Sequence, residues 1–114
     1  MVSLERAAES GDEIAWQAAD QRLHVHISEM ADNPSLSRMV RQMEFLIGRV
    51  RHLAIHLPGR MAESNVEHRR VVEAIKSRDE DRTERAIREH LAHVEELLLG
   101  ILENFVVPFK GDRF

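Results

Sequence analysis

The sequence predicts an all-α fold, an antiparallel bundle of about four long helices preceded by a short one. Apolar residues recur at steps of three and four over most of the 114 residues, which gathers them on single helical faces. Only five glycines and three prolines punctuate the chain, and no aromatic run alternates as a strand would.

The elements follow in order. Residues 3–9 look like the last turns of a helix that stops near Ser10-Gly11. Ser10 and Glu13 stand at capping-box spacing and predict a new helix over about 12–31. Trp16, Asp20, Leu23, Ile27 and Met30 share its inward stripe, with His24 one turn beyond Asp20. Asn33 as N-cap and Pro34 at the first position start a helix over 34–55. Leu36, Met39, Val40, Met43, Leu46, Ile47, Val50 and Leu53 form its apolar line, and Arg38, Arg41, Arg49 and Arg51 occupy other faces. Leu57-Pro58-Gly59 ends it. A more polar helix over 60–77 carries Met61, Ser64/Asn65, His68, Val71/Val72 and Ile75 on one line. Asp79 or Asp81 caps a last helix over 80–105, whose stripe is Ala86, Ile87, His90, Leu91, Val94, Leu97, Leu98, Ile101 and Leu102. Residues 106–114 read as an irregular tail. Met30, Met39, Met43 and Met61 are expected in the core.

Composition narrows the function. A chain of this length is expected to form one domain, 1–114, able to bury a core without staples. With 32% charged and 43% hydrophobic residues it reads as a soluble globular protein. It has no cysteine, which excludes disulfides, thiolate zinc sites and cysteine nucleophiles. The net charge is −4 with arginines scattered among acids, so no basic face for direct nucleic-acid contact is evident. No segment reads as a membrane span or signal peptide, and the cytoplasm is the default location.

Seven histidines remain to be explained. His24, His68 and His90 each take an inward position on a different helix, and Asp20 precedes His24 by one turn. Burying these groups together costs several kcal/mol unless something pairs them. A divalent cation pairs all four, and imidazole with carboxylate suits Zn²⁺, Ni²⁺, Mn²⁺ or Fe²⁺, of which zinc is placed first. His26 and His93 flank these stripes, and His52 with His56 reads as a solvated pair near a helix C-terminus. Glu44, Glu63, Glu67 and Glu89 read as solvated faces, with Glu67 or Glu89 available to accept ring N–H groups. Two other readings use the same residues. One is a metalloenzyme with a metal-bound water and Glu67 or Glu63 as base. The other is a plain structural bundle with hydrogen-bonded histidines.

Four segments carry a family resemblance. Asp20-x-x-x-His24, Asn33-Pro34-x-Leu36, Glu67-His68 followed by Ala74-Ile75 and Asp79, and His90-Leu91 together resemble the FCD domain. This is the C-terminal, ligand-sensing domain of the FadR subfamily of GntR-type bacterial transcription regulators. His90 stands at the family's 22-residue spacing from His68, and Val71 and Val72 fill its aliphatic slots. The similarity covers about residues 10–100.

The resemblance implies an antiparallel bundle with a metal held by Asp20, His24, His68 and His90. It also implies a small carboxylate effector at or beside the metal, within a dimer that presents winged helix-turn-helix domains to DNA. Set against that pattern, no winged helix-turn-helix is expected in these residues. Residues 3–9 read as the end of the domain's second helix, so that the first helix and most of the second are expected to be missing. Arg49, Arg51, Ser64 and Asn33 are the candidate effector contacts. Missing helices should leave an apolar patch, which a partner chain is expected to cover through homodimerisation or exchange of the Val106–Phe114 tail, with Phe109 and Phe114.

Overall fold

The computed structural model describes residues 1–105, apart from the side chains of Phe45, Leu46 and Phe105. The proposed exchange of the tail, with Phe109 and Phe114, lies outside the described residues. Every regular element among them is an α-helix: α1 (Val2–Ser10), α2 (Glu13–Met30), α3 (Pro34–Ala54), α4 (Arg60–Ser77) and α5 (Glu80–Phe105). The all-α prediction therefore holds.

Short polar residues set the helix ends. Gly11 takes the left-handed conformation after α1 (φ 70°), which a residue without Cβ adopts at little cost. Asp12, and not Ser10, caps α2: its carboxylate accepts from the Ala15 N–H at 3.0 Å. Ser10 is the last residue of α1, and its hydroxyl donates back to the Ala7 carbonyl, so the anticipated capping box does not form. Asn33 caps α3 by accepting from Leu36 N–H at 3.1 Å, with Pro34 directly after it. Asp79 caps α5 by accepting from Arg82 N–H at 3.0 Å.

The chain gathers into two compact units, Met1–Asn65 and the described residues from Val66 onward. The first unit has a small core of Leu4, Ala7, Trp16, Ala19 and Ile55, edged by Met1, Ala8, Leu23 and Met61. Buried Asn65 ties this core together. It accepts from the Trp16 indole N–H and donates to the Leu4 carbonyl, both at 3.0 Å. One side chain of α4 thus fastens α1 and α2 within the unit.

The helices α2 and α3 run antiparallel, and polar pairs cross between them. Glu29 meets Arg41 at 3.5 Å near the connecting turn, and Asp20 meets Arg51 further along. Gln17 meets His52 at 2.9 Å, and Glu13 meets His56 at 3.1 Å. His52 and His56 also stack edge-to-face with ring centroids 4.9 Å apart. They are partners of α2 rather than a pair facing only water.

The inward face of α3 differs from the expected one. Among the described side chains, Ser37, Glu44 and Ala54 are the buried residues of α3, and half-buried Arg51 lies on the same side, seven residues from Glu44. The apolar line lies about a third of a turn around the axis. Its Leu36, Met39 (58% exposed), Met43 (52%), Ile47 and Leu53 (56%) remain open. Met30 is exposed as well, so of the four methionines expected inside only Met61 edges the core. The reason is electrostatic: two buried carboxylates take Arg51 between them, and that pairing rotates α3 so that its apolar line turns outward.

In the second unit, α4 and α5 form a hairpin through Arg78 and Asp79. Val71 and Ala74 are its most buried apolar residues. Arg78 takes the left-handed conformation that closes α4 (φ 59°).

Replacing Asn65 by Ala removes the acceptor for the Trp16 N–H and the donor to the Leu4 carbonyl. A loss of about 2–4 kcal/mol is expected, since two buried polar groups lose a partner. Urea unfolding checks this, and a loss below about 0.5 kcal/mol would show that the bridge is dispensable.

Candidate metal centre

In the first unit, Asp20 is buried on α2 through its place on the stripe that begins at Trp16. One turn later, His24 brings Nε2 to 3.3 Å from Asp20 Oδ1. Arg51 of α3 donates through Nε to Asp20 Oδ2 and through Nη1 to Glu44 Oε2, the latter at 3.4 Å. The carboxyl groups of Asp20 and Glu44 are nearly inaccessible, and the Arg51 side chain is 14% exposed. Glu44 is therefore not a solvated acid. It completes the pairing of a guanidinium that also orients Asp20, and its seven-residue spacing from Arg51 was the available signal.

In the second unit, His68 of α4 and His90 of α5 are both buried. Each stands eleven residues from Asp79, so a hairpin closed there sets them opposite one another. Their rings meet edge-to-face, with centroids 4.6 Å apart and planes at 64°. Glu67, the residue before His68, accepts from Nδ1 of His90 and from Nδ1 of His93, at 2.6 Å each. The two carboxylate oxygens thus serve two rings. Donation from Nδ1 puts the lone pair of a neutral His90 ring on Nε2, the form in which imidazole binds a metal. The anticipated role of Glu67 as acceptor for a ring N–H is present. The part played by His93 was not anticipated, although its position three residues after His90 keeps it on the same side of α5.

A family model, the FCD domain, matches residues 1–93. The chain belongs to the FCD domain family. FCD domains are the effector-binding domains of GntR-family transcription regulators, and some members bind metals. Searches of the curated proteins and of the solved structures found no match. Among the described residues, no helix is long and apolar enough to cross a membrane.

For an FCD domain, the donor chemistry suits a divalent ion. Asp20 and His24 form one carboxylate–imidazole pair, and His68 with His90 forms one pair of buried imidazoles. Each pair has a held member, Asp20 by Arg51 and His90 by Glu67, as ligating side chains commonly do. His26 is exposed on α2, and Glu89 is exposed on α5. Glu63 is exposed and pairs with Arg60 at 2.8 Å. Of the two bases named for the enzyme reading, Glu67 has both oxygens accepting from histidines, and Glu63 is ion-paired with Arg60.

The candidate effector contacts separate. Ser64 is buried on α4 one turn before His68, on the same side of that helix. Arg51 touches Asp20 directly. Arg49 is exposed, and two helical steps from Arg51 turn it about 160° away from Asp20. Asn33 is spent as the cap of α3, about 27 Å of helix from Arg51. The structure therefore does not bring Arg49 or Asn33 to Asp20.

Arg51→Met should destabilise the protein by about 3–5 kcal/mol, because two buried carboxylates lose their counter-charge. Adding Glu44→Gln to that variant should recover part of the loss. Denaturant unfolding of the single and double variants checks both outcomes.

Proposed function

We propose that this FCD domain binds a small carboxylate effector at a divalent metal held jointly by Asp20, His24, His68 and His90, as the sensing part of a GntR/FadR-type regulator. The observation that carries the reading is the presence of two oriented ligand pairs in a chain of this family. Asp20 is fixed by Arg51, and His90 is fixed by Glu67. Zinc is the first choice on ligand type, with nickel, manganese and iron suited to the same donors.

When bound, the ion supplies a Lewis-acidic point of attachment for a carboxylate. The residues of the chain do the rest. Arg51 holds Asp20 in one orientation and offers positive charge beside it. Ser64 supplies a hydroxyl one turn from His68. Glu67 keeps His90 in the Nδ1–H tautomer. The domain acts as a homodimer and makes no nucleic-acid contact of its own. Operator binding belongs to winged helix-turn-helix domains in regulators of this family. The working location is the cytoplasm.

Protein purified without chelator should contain about one divalent ion per chain by elemental analysis, the stoichiometry of a single four-ligand site. His68→Ala should abolish that content, and equal metal in the variant rejects the site. Glu67→Gln should lower metal affinity about 10- to 100-fold, as loss of a ligand's supporting carboxylate does elsewhere. A small carboxylate should raise the melting temperature of the metal-loaded protein and leave the chelated protein unchanged.

A further inference from the structure

Along α3 the sequence places Leu36, Met39, Met43, Leu46, Val50 and Leu53 at alternating steps of three and four. That is the a/d repeat of a helix built to pack along a second helix. Leu36, Met39, Met43 and Leu53 are exposed on this line, as is neighbouring Ile47. The burial of Ser37, Glu44 and Ala54 points a different face inward, so the apolar line is a second packing face. Its charge has one sign. The single acidic residue of α3 is the buried Glu44, whereas Arg38, Arg41 and Arg49 are exposed.

The opposite character occurs on α5. After Arg88 this helix has no lysine or arginine. Leu91, Leu99 and Leu102 are exposed there, interleaved with exposed Glu95, Glu96 and Glu103. Most of these residues lie beyond the FCD match, which ends at residue 93.

We infer that the apolar, arginine-flanked face of α3 in one copy docks the leucine- and glutamate-bearing face of α5 in a second copy. Pairing α3 with itself would set arginines near arginines, whereas α3 against the partner's α5 sets arginines near glutamates. Each copy carries both faces, so each can offer its α3 to the other's α5. The α3 ridge from Leu36 to Leu53 is about 27 Å long, and the α5 segment from Leu91 onward is about 22 Å long. The inference rests on the homodimer reading above and names its surface.

The test is a charge exchange on the full chain, followed by sedimentation velocity over a concentration series. Wild type should be a dimer at micromolar concentration. Met43→Glu, at an exposed position, should raise the dissociation constant about tenfold or more with unchanged helix content and melting behaviour of the monomer. The variants R38E/R49E and E95R/E103R should each self-associate as weakly. Mixed together they should form a heterodimer of near wild-type affinity, because both reciprocal contacts again join opposite charges. If wild type dimerises and all variants do likewise, this surface is overturned while the homodimer reading stands. Weakened variants that fail to pair when mixed also overturn it, in favour of α3 meeting its own copy or an unrelated acidic helix. A wild-type monomer overturns both readings.

Discussion

The buried guanidinium of Arg51 is the constraint on which the first unit turns. Asp20 and Glu44 are two carboxylates withdrawn from water, and burying such groups without a partner is costly. Arg51 reaches both. Satisfying them decides which face of α3 looks toward α2, and that choice overrides the hydrophobic line of the same helix. The cross-pairs from Glu29–Arg41 to Glu13–His56 then follow, because one register of the antiparallel helices serves them all. A single buried ion network therefore orients Asp20 and leaves a row of apolar side chains in the open.

The second unit solves the same problem with a different group. His68 and His90 are polar rings in a small interior, and their orientation depends on Glu67 bridging His90 and His93. In both units a charged residue outside the proposed ligand set holds one member of it. Arg51 and Glu67 are engaged through their own polar atoms and serve to hold their neighbours in place.

Much of this was legible in the sequence, for identifiable reasons. The helices were readable because caps such as Asn33 and Asp79 are local chemistry, and three-and-four periodicity survives in any context. The inward positions of Asp20, His68 and His90 were readable because each stands where a helical stripe calls for an apolar residue. The motif phrases around Glu67-His68 and His90-Leu91 carried the family. What escaped was long-range polar pairing. Periodicity sees Leu36, Met39 and Met43 as core, since it has no knowledge that Asp20 of another helix will recruit Arg51, which in turn pairs with Glu44. Asp12 displaced Ser10 as cap for a local reason: the left-handed turn at Gly11 keeps Ser10 in α1, and Asp12 is the residue left at the start of α2.

The hairpin of α4 and α5 also bears on which changes in chain length the fold can absorb. His68 and His90 are equidistant from Asp79, so the imidazoles face one another only because two helical stretches count the same number of residues. Deleting one residue from either stretch would rotate everything beyond it by about 100° around the axis and shorten the reach by about 1.5 Å. No side-chain replacement could restore both at once. Segment length between ligand and hinge is thus as much a determinant of this site as ligand identity, and insertions or deletions should be confined to the turns.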